Sequence, residues 1–127
     1  MTSPKNSAHS YKDLLVWQKG MELAKEIYKI TQTFPAEERF GLVSQMRRAS
    51  ISIPSNIAEG QARRTTKEFI QFISHAEGSV AELETQLILA QDLLYCTNGS
   101  PGKAFVLLSE LRRMLNSLRR RLDGSKT

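Results

Sequence analysis

The sequence predicts an all-α protein built as an antiparallel, up-down-up-down four-helix bundle. Apolar residues return at alternating steps of three and four along most of the chain, the period that aligns side chains on one face of a helix. Proline, glycine and asparagine cut this pattern into four segments joined by short connections, so consecutive helices are expected to lie antiparallel. No segment alternates apolar and polar residues as a half-buried strand would.

The first helix is expected over about residues 12–33, with Trp17, Met21, Ala24, Tyr28 and Thr31 as its buried stripe. Pro35 disfavours helical geometry at Phe34 and opens the second helix, which places Glu37 and Glu38 at the positive end of the helix dipole. This second helix, about residues 36–62, carries Leu42, Met46, Ala49, Ile53 and Ile57 on one face. Pro54 lies inside it, where it removes a backbone donor and crowds the Ser50 carbonyl at a cost of about 3 kcal/mol. Ser50, Ser52 and Ser55 surround the proline, and short hydroxyls can satisfy freed backbone groups, so the helix is expected to kink and continue.

The third helix is expected over about residues 66–98. Thr65 and Glu68 form a capping-box pattern. Phe69, Ile73, Ala76, Val80, Leu83, Leu87, Ala90 and Leu94 then hold a seven-residue repeat that implies a left-handed supercoil. Gly78, in mid-helix, is expected to permit close helix approach. Asn98 and Gly99 tolerate left-handed backbone and close the helix. Ser100 as N-cap and Pro101 at the first helical position open the fourth, about residues 101–123, whose stripe is Ala104, Leu108, Leu111, Leu115, Leu118 and Leu122. The polar residues 1–10 and 124–127 are expected to form tails.

A chain of 127 residues fits one domain with a sizeable core. The single cysteine, Cys96, cannot form an internal disulfide, and the start MTSPKNSAHSYKD has no apolar signal region, so a reducing cytoplasm is expected. No apolar run approaches the roughly 20 residues that span a bilayer, which argues against a membrane role. The net charge of +5 is unevenly spread. Residues 1–100 are balanced, whereas residues 101–127 hold Lys103, Arg112, Arg113, Arg119, Arg120, Arg121 and Lys126 against Glu110 and Asp123. An arginine-rich excess suits a polyanion such as RNA or DNA, because the planar guanidinium matches phosphate geometry.

Residues 45–60, QMRRASISIPSNIAEG, together with Arg63, Arg64, Glu68, Phe69, Phe72 and the run AEGSVAELETQL at 76–87, resemble a bacterial four-helix-bundle family. That family is encoded by intervening sequences of 23S ribosomal RNA genes. The chain is similar, more loosely, to the accessory variability protein of diversity-generating retroelements. The resemblance covers about residues 11–122. It implies a ring-shaped homo-oligomer, a homopentamer, with nucleic acid or a nucleic-acid-processing protein as partner. It carries no settled biochemical activity.

Catalytic constellations are missing. His9 and His75 make no zinc or acid–base pair, no glutamate has histidine three residues later as a di-iron bundle requires, and no GxxxxGK loop occurs. No catalytic residue, metal, cofactor or small-molecule substrate is expected. Two constellations are expected to act by binding. Gln45, Arg48, Ser52, Asn56 and Glu59 form a polar stripe on the second helix; the ordinary alternative is a solvated face, and the resemblance favours a subunit seam. Arg112 with Arg119, and Arg113 with Arg120, form two basic rails beside the fourth helix's leucines. With Arg121, and with Arg63 and Arg64, they are the expected nucleic-acid-binding set, unless acids such as Glu82 or Glu84 neutralise them. The alternative function is an adaptor ring for a reverse-transcriptase-like partner.

Overall fold

The computed structural model describes residues 10–97 and 99–124. The order is a 3-10 turn (Tyr11–Asp13), α1 (Leu15–Thr31), a second 3-10 turn (Ala36–Glu38), α2 (Leu42–Gln61), α3 (Thr66–Asp92) and α4 (Gly102–Asp123), with no strand among the described residues. Most of the expected N-terminal tail, including His9, lies outside the described residues, as do Asn98 and residues 125–127.

All four helices bury one stripe in a common core. On α3 the seven-residue repeat is buried from Phe69 to Ala90, and on α4 Ala104, Leu108, Leu111 and Leu115 face it. Each fully buried Leu or Ile contributes about 1.5–3 kcal/mol over an exposed one. On α1 the buried stripe runs one residue earlier than the periodicity predicts, through Val16, Gly20, Leu23, Ile27 and Ile30. Trp17, Met21, Ala24 and Tyr28 stand beside it, partly exposed. Both stripes keep the helical period, and Gly20 makes the true one look poorer than a neighbour carrying Trp and Tyr.

Two helix ends also differ from expectation, and one contact explains both. Instead of starting at residue 36, α2 starts at Leu42, after the second 3-10 turn and a non-helical Gly41. The Glu38 carboxylate caps it, accepting from the Leu42 backbone amide through Oε1 at 3.1 Å. Its other oxygen accepts from the Tyr95 hydroxyl at 2.8 Å. Tyr95 reaches that position because α3 stops at Asp92 rather than residue 98. Leu94 takes a left-handed conformation (φ 64°), and the Tyr95 amide closes the helix end on the Ala90 carbonyl at 2.9 Å. The Tyr95 ring then packs on Phe34, centroids 5.4 Å apart. Leu94, expected in the core, is therefore 75% exposed. The α4 helix begins at Gly102, with Pro101 as N-cap.

The α2 helix runs through Pro54 without interruption. Ser50 Oγ donates to the Arg47 carbonyl (2.8 Å) and Asn56 Nδ2 to the Ser52 carbonyl (2.8 Å), on either side of the carbonyl that Pro54 releases. Pro54 is buried against α1 at Gly20, where a Cβ would just touch it at 3.4 Å. Close approach is needed at Gly60, where a Cβ would meet Phe69 Cδ1 at 2.7 Å and Phe72 Cβ at 2.8 Å. Gly78 does not serve the close approach expected of it: nothing lies within 4 Å of its Cβ position.

The two glycines should respond to alanine with opposite signs. Gly60→Ala overpacks the Phe69 ring and the Phe72 Cβ and should cost about 1–3 kcal/mol in thermal or urea unfolding. Gly78→Ala should raise stability by about 0.5–1 kcal/mol, because it removes only the entropic cost of a mid-helix glycine.

Acceptance by Glu38, followed by burial and the charges of Glu38 and Glu37, holds the Tyr95 hydroxyl above its ordinary value of 10.0. A raised folded-state value means that the latch stabilises fully below the unfolded value and is lost as pH rises through the folded one. Alkaline unfolding of the wild type minus that of Tyr95→Phe should therefore show a stability difference that shrinks above pH of about 10. A difference that stays constant through that range would exclude a proton-linked latch.

Candidate nucleic-acid interface

The arginines of α4 divide into two groups according to what α3 presents to them. Leu108, Leu111 and Leu115 fix the buried stripe, which turns Arg112 and Arg119 toward α3. Arg112 Nη1 lies 3.3 Å from Glu84 Oε1. Arg119 Nε donates to Glu77 Oε1 at 2.8 Å, and its Nη2 donates to Asn116 Oδ1 at 2.7 Å. This rail is neutralised within the chain. Arg113 donates to the uncharged Ser109 hydroxyl at 2.7 Å. Arg113, Arg120 and Arg121 are exposed and make no ion pair among the described residues.

At the α2–α3 connection, Arg63 lies 3.8 Å from Glu59 and stacks over the Phe72 ring at 4.7 Å, with His75 edge-on to that ring. Arg64 is exposed and makes no ion pair among the described residues. The remaining contacts bring these arginines to one end of the molecule. Arg121 and Leu118 line a groove with Leu14, Leu15 and Val16, at the start of α1. Tyr11 and Trp17 line another with Ser55 and Ala58, near the end of α2, and Gly60 rests on Phe69 and Phe72, near the start of α3. Lys12, just before α1, and Lys67, in the first turn of α3, are also exposed.

The polar stripe of α2 is partly used inside the protomer. Ser52 Oγ meets Ser79 Oγ of α3 at 2.8 Å, and Asn56 Nδ2 donates to Ser52 Oγ at 2.9 Å. Glu59 is the partner of Arg63. Gln45 and Arg48 line an open groove of about 440 Å³ with Ser52 and Glu82. Glu82 accepts from the Gln86 amide at 3.3 Å, and the Gln86 carbonyl oxygen is buried without a partner. Ser79 and Gln86, on α3, complete this stripe. Sequence reasoning missed both because nothing in periodicity says which polar residues face each other across two helices.

Among the described residues, no three His, Cys, Asp or Glu side chains gather as a metal site. Cys96 is buried, and burial pushes its thiol above the usual value, away from the nucleophilic thiolate. None of the described helices is long and apolar enough to cross a membrane.

No curated protein is similar enough to the chain to match it. A family model, described as 23S rRNA-intervening sequence protein, matches residues 12–117. The match takes in Arg63, Arg64, Arg112 and Arg113 and stops before Arg119, Arg120 and Arg121, so the last arginines of α4 are features of this chain that the family assignment leaves open. Since it spans α1, α2 and α3 whole and most of α4, the chain belongs to the 23S rRNA-intervening sequence protein family.

Proposed function

We propose that the protein is a non-enzymatic homo-oligomer, a ring of antiparallel four-helix bundles, that binds RNA or DNA phosphates in the cytoplasm. Support for the alternating helix directions comes from the ion pairs: α4 residues 112 and 119 ascend as their α3 partners 84 and 77 descend. The observation that carries the binding reading is the collection of Arg64, Arg120 and Arg121, without ion-pair partners among the described residues, at one end of the protomer. Phosphate contact there would displace no internal pair. Arg63, already stacked on Phe72, offers a rigid guanidinium edge to the same ligand. Each subunit of a ring would repeat the set, so weak contacts would add as avidity.

An adaptor ring for a nucleic-acid-processing protein is the second reading. Phe40, 89% exposed, and Leu94 favour it; they lie two residues from Glu38 and one from Tyr95, the two sides of the latch. Exposed apolar side chains of this kind suit a protein partner better than a phosphate chain.

A fluorescence titration with short RNA and DNA duplexes at two salt concentrations separates these readings. Binding that falls steeply with salt, and whose log–log salt slope loses about one unit for each of Arg64→Ala, Arg120→Ala and Arg121→Ala, supports the phosphate-binding ring. Arg119→Ala should behave differently, lowering stability by about 0.5–1 kcal/mol through loss of the Glu77 pair while leaving the slope nearly unchanged. A defined oligomer that binds neither nucleic acid would transfer the proposal to the adaptor.

A further inference from the structure

The second apolar stripe of α1, which the core leaves uncovered, does not stand alone. Met21 and Ala24 join Ile51 of α2, 43% exposed, in two adjoining grooves of about 480 and 340 Å³ that run along the α1–α2 flank. The rim is cationic, with Lys25 and Lys29 lining the first groove. The acids one turn away do not balance them, because Glu22 and Glu26 face Lys103 at 3.5 and 4.0 Å. An occupant must therefore be apolar at its centre and acidic at its edge. Two such grooves placed face to face would oppose like charges, which excludes a symmetric groove-to-groove contact.

The chain itself carries a surface of the required kind on another side. Near the end of α3, Ile88, Leu89 and Leu93 are each nearly half exposed, Leu89 at 47%. Asp92 lies one turn after Ile88 and Leu89, and Glu82 shares the Leu89 face of α3 two turns earlier; neither has a basic partner among the described residues, and Arg48 lines the neighbouring groove with Glu82 without pairing to it. We infer that the α1–α2 groove of one copy receives the Leu89 edge of α3 from a second copy, with Lys25 and Lys29 meeting Asp92 and Glu82. Because the donating and receiving surfaces differ, the contact is heterologous: every protomer can give one edge and receive one, and the series closes as a ring or continues as a filament. This inference rests on the homo-oligomer reading and assigns the surfaces that would build it.

Ile51→Glu and Leu89→Glu test it, since both side chains are partly exposed and each variant spoils one surface while sparing the other. By light scattering, each variant alone is expected at the 14.3 kDa protomer mass. An equimolar mixture is expected at twice that mass, because the intact edge of Ile51→Glu fits the intact groove of Leu89→Glu. A variant that keeps the wild-type oligomer mass, or a mixture that stays monomeric, overturns the inference. A wild type that is itself 14.3 kDa overturns the homo-oligomer reading as well, whereas an oligomeric wild type with an unaffected Ile51→Glu overturns only these surfaces. Should circular dichroism show that either glutamate variant has unfolded, the exposed charge reversal Lys29→Glu takes its place. It should weaken association about tenfold and regain strength when mixed with Asp92→Lys; failure to do so would also overturn the inference.

Discussion

The seating of α2 on its two neighbours is the constraint on which the other features depend. At Gly60 the backbone of α2 lies so close to Phe69 and Phe72 that no side chain fits between them. Half a helix earlier, the Ser52 and Ser79 hydroxyls meet across the same interface, and on the opposite flank Pro54 and Ile53 face Gly20 of α1. These contacts place the inward-facing residues of QMRRASISIPSNIAEG. Met46, Ile53 and Ile57 fill the core, Ser52 meets Ser79 of α3 while Asn56 donates to Ser52, Pro54 faces α1, and Gly60 allows the close approach of Phe69 and Phe72. The buried side of the segment that carries the family resemblance is thus intelligible as a surface with two packing partners, whereas Gln45, Arg48, Ile51, Ser55 and Glu59 remain exposed. Pro54 costs helix stability in isolation; here its buried ring packs against the neighbouring helix and forms part of the core.

How much of this was legible in the sequence depended on the range of the interaction. The stripes of α3 and α4 could be read because a leucine-rich seven-residue repeat has no competing face. On α1 two adjacent stripes kept the same period, and hydrophobicity favoured the one with Trp17 and Tyr28 over the one with Gly20. The helix ends were illegible for a different reason. Local signals at Pro35 and Asn98-Gly99 were reasonable, but the contact that sets both ends joins Glu38 to Tyr95, 57 residues apart. Glycine shows the same limit, since Gly60 and Gly78 look alike in sequence and only the facing phenylalanines distinguish them. The basic excess was legible as a total, whereas its division into paired and free arginines required knowing which acids of α3 face α4.

That division alters what the charge can do. Arg112 and Arg119 sit in pairs that are each worth about 0–1 kcal/mol, so they contribute modestly to folding and have little free charge to offer a ligand. Arg120 and Arg121 occupy the last turn of α4, where cations offset the partial negative charge of the terminal carbonyls by about 0.3–1 kcal/mol. One arginine would suffice for that. A second one there, with Arg64 at the same end, is charge that no ion pair among the described residues uses.

The proposed phosphate-binding end and the proposed assembly surfaces use different parts of the protomer. In the proposed antiparallel bundle the free arginines gather where α1 and α3 begin and α2 and α4 end, whereas the apolar groove runs along the α1–α2 flank and the Leu89 edge lies near the far end of α3. Side-by-side association through the flanks would therefore leave the arginine ends uncovered. If successive copies are related by rotation about an axis roughly parallel to the helices, those ends point the same way and form one cationic face. No subunit then needs a tight or sequence-reading site, because phosphates spaced along a nucleic acid meet a repeated array of guanidinium groups, and affinity grows with the number engaged. On this proposal a protomer of modest charge would bind a polyanion through assembly, by repetition of the same guanidinium groups and with no demand for a tight site on any one subunit.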